Sequence, residues 1–397
     1  MRLGLPHRVR CLAVAAAAVS AAGLVAIVPP ALASAAPCDL PTAGSSGKHA
    51  PKTPRVRGSG PQGALPEWRS PRTRIVSWVT GRLSPNHTLS RFTISGTDLG
   101  VAWDNGRGQT LLAFGDTFGW CHAPNRQWRN NVLLRTGDKN YSDGLNLQPG
   151  PGGRFTRDMN RALGVNFIEM TMIPTSGISI DGAQYVNMMS VRNWGPDGVW
   201  WTNYSVVAKS TDNGNTWHPL PGTTRYNVPF ANDSRFQQAG YTRGRPGDPY
   251  IYQVGTPNGR FGSAYLARFM PRDIGNLGRY EYWTGRTWTR DAGQVTDASR
   301  IFGGRATELS VAWSPSLNKY VMLDGDNAIT LRTASSMSGP WSAPKTLVPK
   351  NAAILYGPMM LPDSPALKGT GDQLYFNASR WADYNVMLVE SNLDPRW

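Results

Sequence analysis

The sequence predicts an all-β chain folded as a five-bladed β-propeller, and three observations predict it. From about residue 71 to Trp397 the chain is a succession of short β-rich runs, among them "TLLAFGDTF", "YVNMMSVRNW", "YSVVAKS", "PYIYQVGT", "ELSVAWS", "KYVMLDGD", "QLYFNAS" and "NVMLVES", broken by turns such as "DNGRGQ", "TDNGN" and "SPSLNK". Helical periodicity of useful length is almost absent. The region, residues 71–397, is too long for one sandwich. A propeller blade takes roughly 40–50 residues, so five blades with long loops account for it.

The third observation is "STDNGNTW" at 210–217, an Asp-box turn. Asp212 is placed to cap a tight hairpin, Gly214 to take the positive φ, and Trp217 to plug between strands. "GRTW" at 285–288 and "GPW" at 339–341 are weaker echoes, and their uneven spacing fits blades with unequal insertions. The box belongs on a propeller's rim, so its role is structural.

Two segments of different texture precede the propeller. "MRLGLPHRVRCLAVAAAAVSAAGLVAIVPPALASAAPC" has three arginines, then an apolar alanine-rich run, then small residues. A secretory signal is expected over residues 1–35, cut near Ala33 or Ala35. Pro37 before Cys38 argues against a lipid anchor. No other stretch approaches the roughly 20 apolar residues that span a bilayer, so the mature chain is expected outside the cell, as a monomer without a membrane span. Residues 36–70 are rich in Pro, Gly, Ser and basic residues and read as a flexible arm.

Loss of Arg2, Arg8 and Arg10 leaves 38 basic against 26 acidic residues, a net charge of about +12. Such a surface is either plain solvation or attraction to anionic cell-wall polymer. The arginines are spread out and no nucleic-acid signature accompanies them, so nucleic acid is not an expected partner. Cys38 and Cys121 remain after processing, and an even number in an exported chain makes a disulfide between them plausible, tying the arm beside "GDTFGWC". His49, His87, His122 and His218 lack ligand spacing, so no metal is expected. Neither G-x-G-x-x-G, a P-loop, a G-x-S-x-G elbow nor H-E-x-x-H occurs, and no cofactor is expected.

The chemistry concentrates in "GTDLGVAWDNGRGQTLLAFGDTFG", which reads as strand, turn, strand. Arg107 lies midway between Asp98 and Asp116, so a hairpin folded there sets the two aspartates opposite one another on one face. Like charges so placed destabilise a sheet. Either one aspartate caps a turn while the other binds backbone amides, or the pair is kept for a reaction. Glycoside hydrolysis needs two carboxyls, one to protonate the leaving oxygen and one to act on water or on the sugar. Mutual repulsion would raise one pKa, as an acid working near neutrality requires. Glu169, Glu308 and Asp383 are supporting candidates, each also readable as an ion-pair partner of Arg129, Arg135, Arg305 or Arg380. Most of the fifteen tryptophans are expected to plug blades, while Trp103, Trp120, Trp128 and Trp381 stand near the acidic motifs and offer faces for sugar rings.

At these residues the chain resembles a known family. "TDLGVAWDNG", "LLAFGDTFGWC", "WRNNVLLRT", "EMTMIPTSGISIDGAQYVNMMSVRNWG", "TELSVAWSPSLNKYVML", "LYGPMM" and "LYFNASRWADYNVMLV" resemble an actinobacterial secreted family once catalogued only as a domain of unknown function and now linked to endo-D-arabinanases. The likeness covers nearly all of residues 85 to 394. It implies a five-bladed propeller that cuts internal α-linkages of D-arabinofuranose chains in mycobacterial-type arabinogalactan and lipoarabinomannan. The two working aspartates of that family match Asp98 and Asp116. An inverting course, with one aspartate as acid and the other activating water, is expected to need roughly 6.5–9.5 Å between carboxyls, against about 5–5.5 Å for retention. Two other readings stand beside it. One is a non-catalytic propeller that binds wall glycan. The other is sialidase-type chemistry, suggested by the Asp-box, which needs an arginine triad.

Overall fold

The computed structural model describes residues 62–397 apart from His122, Asp197 and residues 229–231. The expected signal segment, most of the arm and Cys38 lie outside the described residues. Five antiparallel sheets follow one another along the chain. The first holds Leu99–Asp104, Thr110–Phe114 and Val132–Thr136; the second Thr171–Ile180, Ala183–Trp194 and Trp200–Ser210, with His218–Pro219 and Arg225–Tyr226 on its outer edge. The third runs from Gln238–Arg243 through Ile251–Thr256 and Tyr265–Phe269 to Glu281–Trp283 and Trp288–Thr289, and the fourth from Leu309–Ser314 through Lys319–Asp324 and Ile329–Ala334 to Lys345–Val348.

The fifth sheet closes the ring. Leu355–Met360, Gln373–Arg380 and Asn385–Asn392 are joined by Thr73–Trp78 from the other end of the chain, paired antiparallel with Asn385–Asn392. The five innermost strands, Leu99–Asp104, Thr171–Ile180, Gln238–Arg243, Leu309–Ser314 and Leu355–Met360, touch in a closed cycle of neighbours. A five-bladed propeller is the architecture that this cycle defines. The pairing of Thr73–Trp78 with Asn385–Asn392 completes the last blade with a strand from the other end of the propeller segment and so ties the ring shut. Among the described residues no helix is long and apolar enough to cross a membrane.

The Asp-box forms as its sequence dictates. Asp212 accepts from the backbone of Asn215 and Thr216 and from the hydroxyls of Ser210 and Thr216. Gly214 has φ 84°, and Trp217 is buried with its indole N–H on the Gly214 carbonyl at 3.1 Å. "GPW" repeats the device: the buried Trp341 donates to the Met337 carbonyl at 3.1 Å.

The end of the arm is fastened to the propeller. Gln62 is buried, donating to the Thr80 carbonyl at 2.9 Å and accepting from the Leu83 N–H at 2.8 Å, and Gly63 N donates to Asp383 Oδ2 at 3.0 Å. Side-chain and backbone polar groups anchor a segment that its composition alone marks as loose.

Candidate active site

The opening residues of the inner strands gather at one mouth of the ring. A cavity there is lined by Asp98 and Leu99, Ile173 and Thr175, Gln238 and Ala239, Glu308 and Leu309, and Tyr356, and thus draws on all five blades. Residues further along the same strands, at 101–104, 176–179, 241–243 and 309–313, line a second cavity towards the other mouth. Hairpin tips complete the first cavity: residues 195 and 198–200 from blade two, Arg260 from blade three, Trp381 and Tyr384 from blade five.

The first blade brings the two aspartates into this cavity. The register centred on Arg107 holds on four rungs, Val101–Ala113, Ala102–Leu112, Trp103–Leu111 and Asp104–Thr110. Beyond them the ladder shifts, because Leu99 (φ 65°) and Gly100 (φ 73°) form a bulge in the left-handed region. The centred register returns at the Gly96–Phe118 bridge. The bulge sets Asp98 opposite Gly115, whose N–H donates to the Asp98 carbonyl at 3.2 Å, so the expected rung between the two aspartates is displaced by one residue. A Cβ at Gly115 would stand 2.3 Å from Asp98 Oδ1, so any other residue there would push that carboxyl aside. The carboxyl lies across that bare backbone, and Asp116 follows it into the cavity.

Each aspartate has its own partners. Asp98 Oδ2 accepts from the Tyr356 hydroxyl at 3.0 Å, while Oδ1 has no hydrogen-bond partner among the described residues. Asp116 Oδ1 accepts from the Thr171 hydroxyl at 2.7 Å and from the Trp128 indole at 3.0 Å. Burial pushes both carboxyls up, to about 7. For Asp98 the Asp116 charge adds to burial and Glu308 adds further, against the Tyr356 and Tyr384 hydroxyls; for Asp116 burial outweighs the Thr171 and Trp128 donors.

Opposite the pair stands a buried ion pair. Arg260 Nε and Nη2 bond Glu308 Oε2 and Oε1 at 2.8 and 2.5 Å, and the guanidinium lies 4.7, 4.9 and 5.4 Å from the rings of Trp381, Tyr356 and Trp200. Burial opposes its charge, but Glu308 more than offsets this and holds Arg260 above its ordinary value. Five cavity residues carry a buried polar atom without a partner among the described residues: Asp98 Oδ1, Trp200 Nε1, Gln238 Oε1, Thr256 Oγ1 and Trp381 Nε1. Gln238 Nε2 is engaged by the carbonyls of Pro257 and Gly259 at 2.9 and 3.2 Å, which fixes Oε1 as an acceptor. Two indole donors, an amide acceptor, a hydroxyl and a carboxyl oxygen suit a ligand bearing several hydroxyls.

The other sequence candidates divide. Glu308 and Trp381 line the cavity and Trp128 holds Asp116. Trp103 does not belong to the site: it is buried five positions along its strand, roughly 15 Å away at strand rise, with its indole on Gln184 and its ring edge-on to Trp217. Arg129 is buried and spent on the carbonyls of Thr93, Gln127 and Thr156. Glu169 accepts from Ser190 and Tyr204, outside the cavity lining. Asp383 pairs with Arg380 at 3.2 Å and anchors Gly63. Trp120 is 47% exposed, 6.0 Å from the Arg82 guanidinium, and outside the lining. Cys121 is disulfide-bonded; Cys38, the expected partner, is outside the described residues. Among the described residues no His, Cys, Asp or Glu cluster could hold a metal ion.

Fold and site together define a five-bladed propeller with a buried carboxyl, Asp116, and a half-buried one, Asp98, at the mouth where its inner strands begin. Residues 83–390 match the family described as Domain of unknown function (DUF4185), and the chain belongs to that family. It is 29% identical over 320 residues to "Notoamide biosynthesis cluster protein J" of Aspergillus sp. (strain MF297-2), covering 73% of this chain and 81% of that protein. A solved structure from Bacteroides ovatus ATCC 8483 is similar at 16% identity and a TM-score of 0.53, over 77% of this chain and 88% of that one, a likeness of fold. The arabinanase Arb43A of Bacillus subtilis aligns at 11% identity and a TM-score of 0.43, over 75% of this chain and 96% of that one.

Proposed function

We propose that this protein is an exported glycoside hydrolase, an endo-D-arabinanase acting on internal α-D-arabinofuranosyl linkages of mycobacterial-type arabinogalactan or lipoarabinomannan. Asp98 and Asp116 are its acid and base. The observation that carries the reading is the convergence, in one cavity, of two carboxyls raised to about 7, beside lining residues whose indole, amide and hydroxyl groups include atoms with no hydrogen-bond partner among the described residues. Near neutral pH such a pair holds about one proton between its members. One carboxyl can then protonate the leaving oxygen while the other, ionised, activates water, an inverting course. Export rests on the leader-like residues 1–35.

The cation arrangement supports a neutral sugar over a sialidase-type substrate. Arg260 is the arginine that lines the cavity among the described residues, and its Nε/Nη2 edge is taken by Glu308. No triad of arginines is assembled there to hold a carboxylate-bearing sugar.

The reading is tested by digesting mycobacterial arabinogalactan with residues 36–397 and following product size and anomeric configuration by NMR. Oligosaccharides of mixed length, released from the start with inverted configuration, are expected. Saturable binding to the polymer with no new reducing end would favour a glycan-binding propeller instead.

A further inference from the structure

Blade two carries aromatic rings that stand uncovered outside the cavity. Seven of the twelve most exposed large apolar side chains among the described residues, including Phe167, Ile168, Trp201 and Tyr226, belong to the turn before this blade or to its outer part. Several of them lie close to one another on this blade. Phe167 N donates to the Arg192 carbonyl at 3.0 Å, Asn203 Nδ2 donates to the Ile168 carbonyl at 2.7 Å, and the Tyr226 ring lies 6.3 Å from Tyr204. Exposed aromatic side chains gathered in this way mark an interaction site.

Two details show that the rings are held out on purpose. Phe167 has φ 66°, a costly backbone for a bulky residue, fixed by the Val165–Glu169 backbone bonds while its ring stays 68% exposed. Trp201, 39% exposed, lies against Gly195, where a Cβ would come within 2.9 Å of its ring. Phe167, Arg192, Asn193 and Trp201 line an open depression, and Arg192 enters no ion pair among the described residues.

The depression adjoins the cavity. Asn193 and Trp201 form the ladder rung next to Trp194 and Trp200, which line the cavity. Successive residues of a strand face opposite ways, so the hairpin tip is the wall between the two sites, and a chain draped over it reaches both.

We propose that this depression is a second glycan-binding site, holding sugar units of the polysaccharide several residues away from the bond set between Asp98 and Asp116. The proposal rests on the glycoside-hydrolase reading of the cavity. The rings of Phe167 and Trp201 stack on sugar C–H faces, and the guanidinium of Arg192 and amide of Asn193 bond hydroxyls. That mixture of flat rings with planar polar groups, continuous with the cavity, selects a glycan chain over a protein partner or a lipid surface.

The test is affinity electrophoresis in gels containing mycobacterial arabinogalactan, with the mature chain carrying Asp116→Asn to prevent cleavage. Adding Phe167→Ala or Trp201→Ala is expected to weaken retardation about tenfold or more, with a smaller loss for arabinan tetrasaccharides titrated in solution and recovery in Phe167→Tyr. Undiminished retardation in both alanine variants would overturn the second site and leave the cavity reading intact. A variant that instead converts a dimer to a monomer in light scattering would also overturn it, marking the patch as a self-association surface. If the wild-type chain neither cleaves nor is retarded by the polymer, the hydrolase reading fails first and the second site with it.

Discussion

Tyr356, the second residue of the innermost strand of blade five, places its hydroxyl 3.0 Å from Oδ2 of Asp98, which immediately precedes the innermost strand of blade one. The contact joins the two blades at which the ring closes, and the Tyr384 hydroxyl of the same blade acts on that carboxyl in the same direction. A donor on the charged form lowers a carboxyl pKa, so its removal raises it. Tyr356→Phe is therefore expected to move the corresponding limb of the pH–rate profile to higher pH and to lower kcat/KM about 10- to 100-fold, the cost of one hydrogen bond to a charged group. Thr171→Val should do the same through Asp116. The check is kcat/KM from pH 4 to 9; an unmoved limb would detach these hydroxyls from the titration.

The raised carboxyls also govern stability. A carboxyl near 7 in the folded state and near 3.9 unfolded contributes stability that is complete below about pH 4 and is lost as pH rises through about 7. Asp98→Asn and Asp116→Asn should thus leave the free energy of urea unfolding little changed at pH 4 and raise it at pH 8, by at most about 4 kcal/mol each. A gain that is largest at pH 4 would contradict the assignment.

Gly115 gives a steric test. A methyl group would meet Asp98 Oδ1 at 2.3 Å, and the carboxyl has to swing away. Gly115→Ala is expected to cost at least 100-fold in kcat while unfolding with wild-type cooperativity. Activity within threefold of wild type would mean that the carboxyl works from another position.

The Arg260–Glu308 pair ties blade three to blade four beneath the aromatic wall. Removing one partner leaves a buried charge alone, so Arg260→Met and Glu308→Leu should each destabilise by about 3–5 kcal/mol. The double variant should lose less than the sum of the two. Urea unfolding of the four proteins closes the cycle, and strictly additive losses would show that the bond contributes no coupling.

Much of this was legible in the residues themselves. Turn chemistry located the Asp212 box and the Arg107 hairpin, and the alternating runs supplied the strands. The bulge was hidden because Leu99 gives no local sign of a left-handed backbone. Glu308 invited nearby arginines as partners, whereas Arg260 lies 48 positions back on another blade and meets it only because the ring brings the two blade openings together. Trp103 sits close to Asp98 in sequence yet far along the strand, while Trp200, remote in sequence, reaches the cavity through its hairpin. Thr171 and Tyr356 stand at the beginnings of inner strands, and that positional rule, once the blades are counted, could have found both.

The most direct measurement counts reducing ends released from mycobacterial arabinogalactan by the wild-type chain, Asp98→Asn and Asp116→Asn in parallel. The account predicts steady release by wild type and rates lower by at least a thousandfold in both variants, each still folded. Wild-type rates in either variant would remove that aspartate from the chemistry and contradict the paired-acid mechanism.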